Sequence, residues 1–75
     1  MIDRAREYLI DTGFSQRLKE ARIKSGMSRA DVADALCTFV ETVWRWETGK
    51  RCPQIYFIDA MADLYDVSID WLCGR

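Results

Sequence analysis

The segment 29–48 constrains the fold of this 75-residue chain more than any other, because it holds two short helical patterns only about three residues apart. Ser28 stands where the N-cap of the first helix is expected, and Asp31 three residues later favours that helix start electrostatically. The second pattern ends at Gly49, and glycine is typical of helix C-termini. Short helices gain most of their stability from packing on other elements, so the segment predicts two helices in direct contact.

Apolar residues indicate which faces of these two helices are buried. Val32, Ala33 and Leu36 fall on one face of the first helix. Ala33 is small enough for a close crossing with the second helix, and Leu36 and Val43 would close a small core between the two. The second helix is then left with one outward face, and a helix that projects in this way fits the major groove of DNA.

The outward face of the second helix predicts base contacts through four residues, which are Val40, Glu41, Thr42 and Arg45. Arginine can donate to the O6/N7 pair of guanine, glutamate can accept from the N4 group of cytosine, and valine can touch a thymine methyl. Double-stranded DNA is therefore the expected partner, and Arg45 is the leading candidate for a base contact.

Residues typical of helix starts and helix ends also recur along the rest of the chain. No segment alternates apolar and polar residues for long enough to predict a strand. We therefore expect an all-α domain of five helices, with a short extra helix before it. The five are expected at about 16–24, 29–36, 40–48, 54–65 and between Ser68 and Gly74, and the extra one at about 4–10. Ser15 is expected to cap the first of the five. The chain thus divides into an N-terminal extension, 1–13, and a domain, 14–75.

The charges are unevenly distributed, although their sum is only −1. Residues 14–29 carry five bases and one acid, a local charge of +4, whereas residues 52–75 carry four acids and one base, a local charge of −3. A basic face can bind phosphate even when the net charge is near zero. The alternative is that both stretches are simply solvated helix faces.

Composition also predicts the cellular compartment of the protein, the state of its cysteines and whether it is an enzyme. The chain has no apolar run long enough to span a membrane, and its first twelve residues carry three acids and no signal-peptide core, so we expect a cytoplasmic protein. The three cysteines, Cys37, Cys52 and Cys73, match no zinc spacing, and we expect reduced thiols, with a redox switch as the alternative. Since the chain has no histidine, we expect neither an enzyme nor a bound metal or cofactor.

Four pieces of the chain, taken in order, resemble the Cro/phage-repressor-type, or XRE-like, helix-turn-helix family. They are RLKEAR at 17–22, SGMSRADVADAL at 25–36, TVWRWETGKRCP at 42–53 and DVSIDWLCGR at 66–75. Together they span about residues 14–75, and residues 1–13 lie outside the resemblance. The family implies a sequence-specific DNA-binding transcriptional regulator, here a repressor of phage, prophage or bacterial origin, whose recognition helix is the one at about 40–48.

The resemblance also implies roles for individual residues. Arg22 and Glu47 fall where the family has a buried ion pair between its first helix and the recognition helix, and Trp46 is expected to be a core residue beside that pair. Phosphate contacts in the family come from the start of the second helix and from the loop after the recognition helix. In this chain these positions hold Ser28, Arg29, Thr48, Lys50 and Arg51.

A homodimer is also implied, because one such module makes few contacts and the family usually binds DNA with two-fold symmetry. The expected dimer contact is the last helix, through Val67, Ile69, Trp71 and Leu72. The alternative is that these residues only close the core of the monomer. The expected N-terminal helix would add to that interface or cover the domain, through Tyr8, Leu9 and Ile10.

Several positions depart from the family pattern. Cys37 occupies a turn position that is commonly glycine, and Phe39 replaces the usual small polar cap of the recognition helix. Val40, Glu41 and Trp44 make the reading face unusually apolar and give it an acid. A second function therefore stays open, a protein-interaction module on the same fold. Such a module would be an anti-repressor or a modulator that binds another regulator through Phe39, Val40 and Trp44.

Overall fold

The computed structural model describes residues 13–74. Residues 1–12, with the helix expected at 4–10, and residue 75 lie outside the described residues. The described part contains five helices and no strand, namely α1 (Phe14–Lys24), α2 (Arg29–Ala35), α3 (Val40–Glu47), α4 (Ile55–Tyr65) and α5 (Ile69–Leu72). The prediction of an all-α domain of five helices is confirmed for residues 13–74. No helix in this part of the chain combines the length and the apolar character needed to cross a membrane.

The start of α1 differs from the prediction. Ser15 is not the cap, because α1 begins at Phe14 and Gly13 occupies the capping position. Gly13 has a φ of 72°, in the left-handed region that only glycine adopts without a steric penalty. Phe14 is 1% exposed, so the first residue of the helix already packs into the core. Ser15 therefore lies inside the first turn, where its Oγ is buried with no hydrogen-bond partner among the described residues.

The starts of α2 and α3 are capped differently. At α2, the Ser28 hydroxyl accepts from the Asp31 N–H at 3.0 Å, and the Asp31 carboxylate accepts from the Ser28 N–H at 2.9 Å. The hydrogen bond from the Ser28 N–H to the carboxylate, with a smaller contribution from the Ser28 side chain, lowers the pKa of Asp31. At α3, Phe39 is the N-cap and makes no side-chain capping bond. Both observations agree with what the residue types predict.

The core is assembled around α1, which packs against α3, α4 and α5, while α2 packs against α3. The largest fully buried side chains come from all five helices and are Phe14, Leu18, Val32, Val43, Met61 and Leu72. Trp46 is 3% exposed, and its ring centroid lies 4.9 Å from that of Phe57. The inner face of α3 is therefore fixed by packing, and only its outer face is available to a partner.

The turn between α2 and α3 places a non-glycine residue in the left-handed region. Cys37 has a φ of 55°. Its N–H donates to the Asp34 carbonyl at 3.2 Å, and the Thr38 N–H donates to the Ala33 carbonyl at 2.9 Å, so two carbonyls in the last turn of α2 are satisfied. The geometry is the one that glycine adopts most easily, and the chain forms it with a Cβ present.

We expect Cys37→Gly to raise the free energy of unfolding by about 1 kcal/mol, because it removes the steric penalty of the left-handed conformation. Urea denaturation under reducing conditions measures this change. Cys37→Ala is the matched control, since it removes the thiol but keeps the Cβ, and it should change stability little. Equal effects of the two substitutions would contradict the explanation by backbone strain.

Candidate nucleic-acid interface

A buried ion pair joins α1 to the end of α3. The Arg22 guanidinium donates from Nε to Glu47 Oε2 at 2.7 Å and from Nη2 to Glu47 Oε1 at 3.2 Å, so the contact is bidentate. Arg22 Nη1 also donates to the Met27 carbonyl at 2.9 Å. The two residues are 8% and 7% exposed. The structure thus brings together the two residues that the resemblance paired.

The same carboxylate also holds α2. Arg29, the first residue of α2, donates from Nε to Glu47 Oε1 at 3.0 Å, and its side chain remains 32% exposed. Glu47 therefore accepts hydrogen bonds from α1 and α2 while it lies at the end of α3. The sequence predicts Arg29 only as a phosphate contact, and its bond to Glu47 is not part of that prediction.

Tyr65 lies in the electrostatic field of this cluster. Its hydroxyl is buried with no hydrogen-bond partner among the described residues. Burial, with a smaller contribution from the Glu47 carboxylate, raises the pKa of Tyr65 to about 12, although Arg22 opposes the shift. The phenol therefore stays neutral at physiological pH and adds no charge to the cluster.

The outer face of α3 carries the residues expected to meet bases. Val40 is 48% exposed, Trp44 is 38% exposed and Glu41 is also exposed, whereas Thr42 and Arg45 are half-buried. Phe39, just before the helix, is 79% exposed. These residues form one continuous outer surface from the N-cap to the middle of the helix, which we call the reading face (Phe39, Val40, Glu41, Thr42, Trp44 and Arg45).

Two charged residues of the reading face are paired with each other. Arg45 Nη2 lies 2.9 Å from Glu41 Oε2, one helical turn away. As base contacts these two residues are predicted separately, although their spacing of four positions is the usual signal for such a pair. In the free protein, therefore, neither side chain presents all of its hydrogen-bonding groups to a partner.

The residues expected to contact phosphate lie at the start of α2 and in the segment that follows α3. The Thr48 hydroxyl donates to the Trp44 carbonyl at 2.9 Å, and the Lys50 Nζ lies 5.7 Å from the centroid of the Trp44 ring. Arg51 is exposed. At Ser28, both the hydroxyl and the N–H are engaged with Asp31 in the cap of α2. The cations available to a phosphate at these positions are thus Arg29, Lys50 and Arg51.

The four residues expected at a dimer contact do not share one environment. Leu72 is completely buried in the core of the single chain, so it has no surface for a second copy. The prediction that Leu72 contributes to a dimer contact is therefore wrong. Val67, Ile69 and Trp71 pack against the core but keep part of their surface exposed. Cavities of about 270 and 290 Å³ adjoin Trp71, and the Arg17 guanidinium lies 5.1 Å from the centroid of its ring.

Comparisons with known proteins also indicate a helix-turn-helix protein. Residues 18–72 match the sequence model of a family described as Helix-turn-helix (HTH_3). The chain is also similar to the HTH-type transcriptional regulator ImmR of Bacillus subtilis (strain 168), with 33% identity over 60 residues. That alignment covers 80% of this chain and 47% of the relative, so the chain spans about half the length of the curated relative that it matches. No solved structure matches the chain.

We expect Glu47→Gln to lower the free energy of unfolding by about 3 kcal/mol or more, because it leaves the buried Arg22 guanidinium without a counter-charge. Chemical denaturation, followed by tryptophan fluorescence, measures the loss. Glu20→Gln is the matched control at an exposed position of α1, and it should change stability by no more than about 0.5 kcal/mol. Similar losses in the two variants would show that the Glu47 carboxylate does not hold the helices together.

Proposed function

Since the chain belongs to the Helix-turn-helix family, we propose that it is a sequence-specific DNA-binding regulator of transcription that inserts α3 into the major groove. The observation that carries this proposal is the exposure of the reading face on a helix whose inner face is fixed by Val43, Trp46 and Glu47. A helix held in this way can enter a groove without rearrangement of the domain.

Cations at the start of α2 and in the loop after α3 support contact with the DNA backbone. Arg29 is held at the first turn of α2, and Lys50 and Arg51 follow the end of α3. Because the whole chain has a net charge of −1, attraction to DNA depends on these local cations. Their contacts would fix the register of α3 in the groove, and the reading face would select the sequence.

The regulatory part of the proposal is supported by the relative from Bacillus subtilis, which is named as a transcriptional regulator. We propose a repressor of phage, prophage or bacterial origin that acts in the cytoplasm, and we assign the chain no catalytic step. Base contacts are assigned to Val40, Glu41, Thr42 and Arg45. Phosphate contacts are assigned to Ser28, Arg29, Thr48, Lys50 and Arg51, with the weight on the three cations.

A homodimer completes the proposed DNA-binding unit. Val67, Ile69 and Trp71 retain exposed surface while they pack against the core. Two copies related by a two-fold axis would place two α3 helices on half-sites about 34 Å apart along the duplex. The residues that remain in the proposed interface are Val67, Ile69 and Trp71.

A second candidate function is favoured by one observation, the apolar character of the reading face. Phe39, Val40 and Trp44 are 79%, 48% and 38% exposed, and exposed apolar side chains that lie together often mark a protein-interaction site. A protein-interaction module, such as a modulator of another regulator, would use this surface to bind a protein partner. Loss of all DNA binding at low salt would favour this second candidate over the first.

We expect the affinity for a 30-base-pair duplex to fall steeply with salt, because binding releases counterions from the phosphates. Fluorescence anisotropy between about 50 and 200 mM salt measures the slope of log affinity against log salt. Lys50→Gln should reduce the magnitude of this slope by about 1. Lys24→Gln, which removes the same charge beside α5, should leave it unchanged, and equal slopes for the two variants would contradict the assignment of Lys50 to phosphate.

We expect the wild-type protein to have twice its chain mass of 8.8 kDa in light scattering at micromolar concentration. Val67→Ser should shift the population toward the monomer, because it removes apolar surface from the proposed interface. Ile55→Ser is the matched control, since Ile55 is 70% exposed at the start of α4. A monomeric wild-type protein, or dimers that resist Val67→Ser, would contradict the assignment of this surface.

A further inference from the structure

The ion pair between Glu41 and Arg45 is not explained by the fold. Its two side chains are 70% and 43% exposed, and it lies on the outer side of α3. Exposed pairs one helical turn apart add little to stability, because water competes for both charges. The pair therefore calls for a reason in what the outer side of α3 binds.

A carboxylate at this position opposes indiscriminate binding to DNA. Glu41 lies in the first turn of α3, the part of the helix that enters furthest into the groove. Phosphates repel it, and so do the acceptors on the edges of guanine and thymine. A carboxylate is tolerated in the major groove only where a base offers it a donor.

Cytosine is the base that meets this requirement most fully. Its major-groove edge offers the N4 amino donor, whereas the N6 donor of adenine stands beside the N7 acceptor of the same base. Glu41 gives Oε2 to Arg45, and Oε1 takes no part in that contact. Oε1 is thus the atom that can accept from a cytosine amino group.

Arg45 complements Glu41 on the other half of such a base pair. Its contact with Glu41 uses Nη2, and a guanidinium carries five N–H donors in all. The O6 and N7 acceptors of guanine lie next to the amino group of the cytosine with which it pairs. The ion pair therefore matches one C·G base pair, with opposite charges that cancel near the bases.

We propose that Glu41 is a specificity-determining residue that, while bonded to Arg45, accepts from the N4 amino group of a cytosine and so reads a C·G pair in the target DNA. This inference rests on the proposed function, in which α3 enters the major groove. Glu41 both orients Arg45 and excludes base pairs that offer the carboxylate no donor.

The proposal is tested by selecting bound DNA from a random duplex pool. The selection is carried out in parallel with the wild-type chain, Glu41→Gln and Glu20→Gln. The wild-type and Glu20→Gln proteins should recover a site with a C·G pair in each half. Glu41→Gln should recover the same site with the preference for C·G over A·T at that position reduced by about tenfold, because an amide suits the N6/N7 edge of adenine.

A modified base provides a second measurement. Replacing the selected cytosine with N4-methylcytosine keeps base pairing but blocks the donor that Glu41 would use. Anisotropy titration should give an affinity about tenfold lower for the wild-type and Glu20→Gln proteins and nearly unchanged for Glu41→Gln. Glu41 is exposed, so circular dichroism of the variant should match that of the wild type.

The outcomes separate this inference from the proposed function. Recovery of one site by all three proteins, with the same cytosine preference and equal sensitivity to N4-methylation, would overturn the role of Glu41 and leave DNA binding by α3 intact. Failure of the wild-type protein to enrich any sequence would overturn the proposed function, and the role of Glu41 with it.

Discussion

The buried carboxylate of Glu47 is the interaction on which the rest of this structure depends. It accepts hydrogen bonds from Arg22 on α1 and from Arg29 on α2, and it lies at the end of α3. These three helices have only 11, 7 and 8 residues, so the apolar surface that they can share is small. Directional bonds to one residue therefore supplement apolar packing in fixing how α3 is oriented against the other two.

Stability alone does not account for this cluster. A buried ion pair can often be replaced by well-packed apolar residues with little loss of stability, whereas removal of one partner is severely destabilising. What the bidentate contact provides is a defined orientation of α3, with Val43 and Trp46 facing inward. Because that orientation is fixed from the inside, residues on the outside of α3 can vary without disturbing the fold. Phe39, Val40 and Glu41, which depart from the family pattern, all lie on this exposed side.

Within residues 13–74 the number and order of the helices could be predicted from the sequence because their signals are local, as at Ser28 and Asp31. The start of α1 could not, since Gly13 and Ser15 both suit a helix start and burial of the Phe14 ring decides between them. Leu72 illustrates a second limit, because an apolar position looks the same whether it faces its own core or another copy. The pairing of Glu41 with Arg45 was visible as a spacing of four, but each had been assigned separately to a base. For Phe14 and Leu72 the deciding contact lies outside the local pattern, whereas the pair of Glu41 and Arg45 is itself local.

The exposed ring of Phe39 indicates how the outer surface of α3 divides its contacts. A polar N-cap at this position would stabilise α3 by about 1 kcal/mol, yet Phe39 makes no capping bond and is 79% exposed. Natural sequences depart from the locally favoured residue mainly where function requires it. Neither a phenyl ring nor the carboxylate of Glu41 suits a phosphate, so in a complex with DNA both would face the methyl and amino groups on the floor of the groove. Contacts with the DNA backbone would then be made by Arg29, Lys50 and Arg51. Affinity and selectivity are therefore assigned to different residues of the segment 29–51.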